Sequence, residues 1–227
     1  MKILAIDSCS NVATGAVVAD GVVIAEFFIN NKKTHSVKLL PAIENMLNEA
    51  DLTYNDIDVF ACTTGPGSFT GQRIGVATAK ALAHAVNKPV VGVSSLKSLA
   101  YNVRCFDGII CPIMDARREQ VYTATFDNKL NTIKEDRAMA LRDLLEELKG
   151  KRVIFLGDGV ASFKDTITVA LGENAFFAPP NLVNLRGSSV ALCAIEAENP
   201  QKYDQLLPSY LRMSQAEREL QNKNNKE

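Results

Sequence analysis

The sequence predicts an α/β protein built as two related, duplicated lobes, each a mixed sheet flanked by helices. Three observations carry that expectation. Apolar runs of strand length alternate with amphipathic segments of helix length along the chain. Two of those runs, KILAID and GIICPIMDA, reach an aspartate at their carboxyl ends, Asp7 and Asp115, and each is followed by antiparallel strand patterns and then a helix. The chain has 227 residues, 47% of them apolar, enough for one large domain or two small lobes with a sizeable core. The repeated order of elements places a boundary near residues 104–108. Lobes are expected at 1–104 and 105–213, followed by a polar tail at 214–227.

Taken in order, KILAID reads as a buried strand. ATGAVVAD and VVIAEFFIN are two further strands, joined through Asp20-Gly21, a dipeptide that favours tight hairpins. THSVKLLPAIENMLNEAD reads as a helix with Thr34 placed to cap it. Val37, Leu40, Ile43, Met46, Leu47 and Ala50 are spaced to share one face, and Pro41 either kinks the helix or marks a later start. IDVFACTT is a fourth strand, followed by the loop GPGSFTG and a long helix to about Val86. PVVGVS and SLKSLAYNV close the first half as strand and helix.

In the second half, GIICPIMDA, EQVYTATFD and a segment around NTIKEDRAM read as strands, with a turn at Asp127-Asn128. LRDLLEELKG is a helix, RVIFLGDG a strand ending in Gly-Asp-Gly, and SSVALCAIEAENP a helix capped by Ser188 or Ser189 and stopped by Pro200. The end of the tail QAERELQNKNNKE is too poor in apolar residues to pack and is expected to be disordered.

A formal net charge of −1 supplies no strong field for nucleic acid or membrane. The aromatic content of 7%, with no Trp, argues against a large autonomous RNA surface. Five scattered cysteines without a CxxC read as free thiols in a reducing compartment. The first strand is too short for a signal peptide, and no run approaches the length of a membrane span, so a cytoplasmic protein is expected.

The loop Gly65–Gly71 carries the candidate chemistry. Gly65 and Gly67 permit unusual backbone angles or close approach, Pro66 stiffens the turn, and Ser68 and Thr70 suit a helix start whose amides could meet an anion. The Walker pattern is absent, because Gly71 is followed by Gln72 and Arg73, so a structural turn with a capped helix is the competing reading. Behind the loop, Gly71, Gly75, Ala79 and Ala83 recur every four residues. Such a smooth stripe suits close helix packing, either inside the lobe or against another chain.

Asp7 and Asp115, at strand ends, are candidates to flank a phosphate and its Mg²⁺, or else to cap turns; Gly157 and Gly159 frame another such turn. The two histidines do not form a metal pair: His35 is followed at the helical ligand spacing by Leu39, and His84 sits near a helix end. No GxSxG elbow is present.

The blocks ILAIDS, GPGSFTGQRIG, GVSSLKSLA, DARREQVY, GDG and PSYLR occur in the order seen in the TsaB family, also called YeaZ, which the chain resembles up to about Arg212. That resemblance implies the actin/Hsp70/sugar-kinase (ribonuclease H-like) fold. It implies a non-catalytic role beside a TsaD-like threonylcarbamoyltransferase and a TsaE-like ATPase, in forming N6-threonylcarbamoyladenosine at position 37 of tRNAs that read codons starting with A. The complex, not this chain, would use ATP and Mg²⁺, and tRNA would be met through the complex. The resemblance also implies pairing through N-terminal helices, as a heterodimer with the transferase or a homodimer alone. Gly71, Arg73, Gly75, Ala79, Ala83 and His35 become interface candidates in that light. Asp7, Gly65, Gly67, Ser68, Asp115, Gly157 and Gly159 remain the phosphate-side candidates. The chain departs from the family at Gln120, where Glu is usual, and mildly at Cys9. A degenerate small-molecule kinase or ATPase, or a glycoprotease-like peptidase, is the alternative reading.

Overall fold

The structure, a computed structural model, describes residues 1–31 and 35–212, and of residues 35 and 36 the backbone alone. The expected cap at Thr34 and the tail at 214–227 lie outside the described residues.

The first sheet contains β1 (Lys2–Asp7), β2 (Ala13–Ala19), β3 (Val22–Ile29), β4 (Val59–Gly65) and β5 (Val90–Ser94), in the order β3-β2-β1-β4-β5. The first three are antiparallel, and β4 and β5 run parallel to β1. The second sheet contains β6 (Ile109–Asp115), β7 (Gln120–Phe126), β8 (Thr132–Ala140), β9 (Val153–Leu156) and β10 (Ala175–Phe177). Its order, β8-β7-β6-β9-β10, repeats the first. The duplication is therefore one of topology, carried by strand patterns more than by shared residues.

Among the described residues, six α-helices cover the sheets: α1 (His35–Glu49), α2 (Phe69–Ala85), α3 (Ser95–Tyr101), α4 (Leu141–Leu148), α5 (Gly159–Leu171) and α6 (Gly187–Ala197). Strand alternation sorts the side chains into three cores. Leu4, Ile6, Phe60 and Cys62 face α1 and α2 on the outer side of the first sheet. Cys111, Ile113, Val121 and Phe155 face α4 and α5 on the outer side of the second. Between the sheets, Ile3, Ala5, Val91, Ile110, Met114 and Phe126 pack with residues of α3 and α6. Phe60, Phe126 and Phe155, one in each core, are fully buried, each contributing about 2–3 kcal/mol by burial.

Several local expectations hold for physical reasons. Asp20 and Gly21 have φ of 50° and 80°, the positive pair that a tight hairpin with the right-handed strand twist requires. Ser68 caps α2 by accepting the Gly71 amide at 3.2 Å, and Ser94 caps α3 by accepting from Leu96 and Lys97. The helix α1 runs through Pro41 from His35 to Glu49. Its inward stripe is Leu39, Ile43, Met46 and Leu47, whereas Val37 and Leu40, expected on that face, are 68% and 41% exposed. The i, i+4 row through Leu39 packs inward, which turns Leu40 about 100° away from it.

The start of α6 is also a correction. Arg186, not Ser188 or Ser189, occupies its cap position. The first turn is satisfied from β2 and β3 of the first sheet: the Gly187 amide donates to Thr14 Oγ1 at 3.0 Å and the Ser188 amide to Glu26 Oε1 at 3.0 Å. Burial opposes charge on Glu26, but Arg186 and Ser188 hold its carboxyl below the ordinary range. Thus α6, late in the chain, packs on β1 and β2. The helix α5 had no forecast: its run Thr166–Val169 is β-branched and disguises helical periodicity. All five cysteines are free, four buried and Cys105 exposed. Among the described residues, no helix is long and apolar enough to cross a membrane.

Candidate functional site

The carboxyl ends of β1 and β6 face each other across a cleft of about 460 Å³ between the lobes. Loops at the ends of parallel strands commonly form such crevices. Ser10, Ser68 and Phe69 line it from the first lobe; Asp115, Arg117, Arg118, Tyr122 and Asp158 line it from the second; Arg212, the last described residue, lines it as well.

Asp7 stands behind the cleft and is fully buried. Its carboxylate accepts from the Thr63 hydroxyl, from the Cys9 amide at 3.0 Å and from the Ser10 hydroxyl at 3.3 Å. Burial pushes its pKa up, and the Thr63, Cys9 and Ser10 bonds only partly offset that. Cys9 itself is held by Thr63 Oγ1 at 3.0 Å, and burial raises its thiol far above the reactive range.

Asp115 is half-buried and reaches the cleft. It accepts the Arg117 amide at 2.7 Å, while its own amide donates to Asp158 Oδ1 at 3.1 Å. Burial, with the charges of Asp115 and Asp7, pushes Asp158 up to about 6. Arg117 and Arg118 are exposed at the cleft mouth. The arrangement is an electropositive lip over an acidic floor, able to receive an anion at the lip.

The glycines serve close approach. Gly67 has φ of 154°, and a Cβ there would lie 2.4 Å from the Cys9 carbonyl; one on Gly157, at φ 100°, would lie 2.2 Å from the Ile113 carbonyl. Gly65 and Gly159 sit in the same two turns, which bind each strand–helix loop to the neighbouring strand end. Of the phosphate-side candidates, the structure brings Gly67, Ser68 and Asp115 to the cleft lining. It leaves Asp7, Gly65, Gly157 and Gly159 behind that lining.

The small-residue stripe of α2 faces inward. Gly71, Gly75, Ala79 and Ala83 are buried, and a Cβ on Gly71 would meet the Ser8 carbonyl at 1.9 Å. Of the two readings of the stripe, packing inside the chain is the one seen: Ser8, just after β1, sits against Gly71 and Gly75, while Ala79 and Ala83 join the core under the first sheet. Arg73 points outward, and its Nε donates to the Tyr210 hydroxyl at 2.9 Å. His35 begins α1, but its side chain is outside what is described. Gln120, the departure from the family pattern, opens β7 with its amide donating to the Arg117 carbonyl at 3.1 Å.

Asp158 and Arg212 escaped prediction as site residues. The first lay between the two glycines singled out in GDG, and the second ends the PSYLR block. Among the described residues, no group of three His, Cys, Asp or Glu side chains is placed to hold a metal ion.

A family model described as TsaD, tRNA N6-adenosine threonylcarbamoyltransferase, matches residues 22–219. Over 222 residues the chain is 41% identical to the tRNA threonylcarbamoyladenosine biosynthesis protein TsaB of Bacillus subtilis (strain 168), covering 96% of each. Among solved structures, YeaZ from Pseudomonas aeruginosa superposes with a TM-score of 0.74 at 23% identity, over 92% of this chain and 99% of that one. The ROK hexokinase from Thermus thermophilus shares the fold at a TM-score of 0.53 and 10% identity, over 88% of this chain and 100% of that one. Two mixed five-stranded sheets flanked by helices, with these neighbours, are the actin/Hsp70/sugar-kinase fold.

Proposed function

The chain belongs to the TsaB family, and from that premise we propose that it is the non-catalytic partner of a TsaD-like threonylcarbamoyltransferase in the formation of N6-threonylcarbamoyladenosine on tRNA. The observation that carries this reading is the 41% identity to a protein named for that biosynthesis, maintained over 96% of both chains. The transferase, with a TsaE-like ATPase, would use ATP and Mg²⁺ and modify position 37 of tRNAs reading codons that start with A. This chain would meet the tRNA only through that complex.

The state of Asp7 supports a role without chemistry of its own. A strand-end carboxylate whose oxygens are engaged by Thr63, Cys9 and Ser10, away from the cleft lining, is a structural pin. With the small-residue stripe turned inward, pairing falls to the outward faces of α1 and α2. Val37 and Leu40 supply exposed apolar surface there, and Arg73 supplies an exposed charge. The same faces would join two copies when the chain is alone. The cleft lip, with Ser68, Arg117 and Arg118, has the chemistry to accept a phosphate-bearing group.

A reconstituted modification assay tests the proposal. This chain alone, the transferase with the ATPase, and the complete mixture would each receive tRNA, ATP and the activated threonylcarbamoyl donor. Product is expected only in the complete mixture, and Leu40→Asp should reduce it at least tenfold while leaving the unfolding midpoint of this chain unchanged. Modification by this chain alone, or ATP turnover by it that Asp7→Ala abolishes, would overturn the proposal in favour of an enzyme in its own right.

A further inference from the structure

The segment from Gln201 to Arg212 crosses the molecule from one lobe to the other. It starts at the edge of the first sheet, where Gln201 and Val90 exchange both backbone hydrogen bonds, at 2.9 and 2.8 Å. Leu206 is buried, and Lys80 Nζ donates to the Asp204 and Leu206 carbonyls. Two glycines make room for the passage: a Cβ on Gly92 would meet Leu206 Cδ1 at 2.8 Å, and one on Gly65 would meet the Ser209 carbonyl at 2.6 Å. The Ser209 amide then donates to the Thr64 carbonyl at 2.8 Å. Tyr210 stacks on Phe69, with ring centroids 5.0 Å apart, and accepts from Arg73. Two residues later the chain reaches the second lobe. Arg212 Nη1 donates to the Ala116 carbonyl at 2.7 Å, and its guanidinium lies 5.9 Å from the Tyr122 ring centre.

The structure held by Arg212 needs holding. Arg117, Arg118 and Glu119, at the tip between β6 and β7, have φ of 65°, 54° and 58°, all left-handed and none glycine. Three such residues in succession disfavour this turn relative to extended alternatives. The Arg117 amide on Asp115 and the Gln120 amide on the Arg117 carbonyl support it from within. Arg212 supports it from outside.

We propose that residues 201–212 are a latch, by which the first lobe holds the β6–β7 tip and so presents Arg117 and Arg118 at the mouth of the cleft. Tyr210 is its anchor and Arg212 its clasp. A signal at the start of α2, where Phe69 and Arg73 hold the anchor, would thereby reach a loop on the other lobe.

Amide hydrogen exchange on the full chain reads the latch at Ala116 and Gln120, whose amides are bonded within the tip. Tyr210→Ala does not touch the tip, yet it should speed exchange there about tenfold relative to core amides of β1 and β4, the scale of one lost charge-assisted hydrogen bond. Arg212→Ala should do the same or more. Tyr210→Phe, which keeps the ring on Phe69, should retain most of the protection. If Tyr210→Ala leaves Ala116 and Gln120 within twofold of wild type, the latch is refuted and Arg212 is only a local contact. A rise shared equally by tip and core amides also refutes it, because the segment would then merely stabilise the fold.

Discussion

The ends of β1 and β6 occupy equivalent places in two sheets of the same strand order, yet they have opposite fates. Asp7 is sealed behind the cleft, with Thr63, Cys9 and Ser10 on its oxygens, and α2 presses on the residue after it through Gly71. Asp115 opens into the cleft, holds its own turn through the Arg117 amide and sits beside Asp158. Equivalent topology therefore does not confer equivalent chemistry. What decides is how closely the helix that follows the neighbouring parallel strand, α2 after β4 or α5 after β9, packs on the strand end and how much water is left there.

The sharpest way to break this comparison is through the glycines. Gly71→Ala places a Cβ 1.9 Å from the Ser8 carbonyl, whereas Gly159→Ala places one 3.0 Å from the Ile113 carbonyl. Urea unfolding should show a loss of about 4 kcal/mol for the first and about 1 kcal/mol for the second. Equal losses would mean that the two helices press equally on their strand ends.

A smaller difference should separate the aspartates. Asp7→Ala strands the Cys9 amide and the Thr63 and Ser10 hydroxyls without their acceptor and opens a small cavity, at a cost of about 3 kcal/mol. Asp115→Ala removes one acceptor from an exposed turn and should cost less than about 1 kcal/mol. Similar values would place both carboxylates in one structural role.

The smallest effect is one of pH. Asp158 has a folded pKa of about 6 against an ordinary 3.8, raised first by burial and then by the Asp115 and Asp7 charges. The folded state thus binds this proton more tightly than the unfolded state does. Its stabilising contribution is fully present below about pH 3.8 and is lost as pH rises through about 6. Asp158→Asn keeps an acceptor for the Asp115 amide without the charge. At pH 8 it should be more stable than wild type by about 1 kcal/mol, an advantage that shrinks towards pH 4. An unchanged difference between the two pH values would show that the second strand end carries no such strain.

Much of the fold was legible because strand burial, hairpin dipeptides and helix caps act over a few residues. Asp20-Gly21, Ser68 and the apolar run before Asp7 each state a local rule. The misreadings fall where distant parts of the chain decide. Leu40 and Leu39 both satisfy a helical stripe, and only the sheet beneath α1 selects Leu39. Ser188 looks like a cap until Glu26, 162 residues away, receives its amide. Arg212 has no sequence neighbour that announces Ala116 as its partner.

The sequence by itself determined most of the order of strands and helices, α5 and β10 excepted, together with the duplicated plan and the family, because periodicity, turn residues and motif blocks are properties of contiguous residues. Only the tertiary structure decided which way the smooth face of α2 turns, which aspartate keeps contact with the cleft and where the segment 201–212 is fastened. Those outcomes depend on which surfaces exclude water from one another and on which buried polar groups find partners. Both are settled between residues that the chain brings together only on folding.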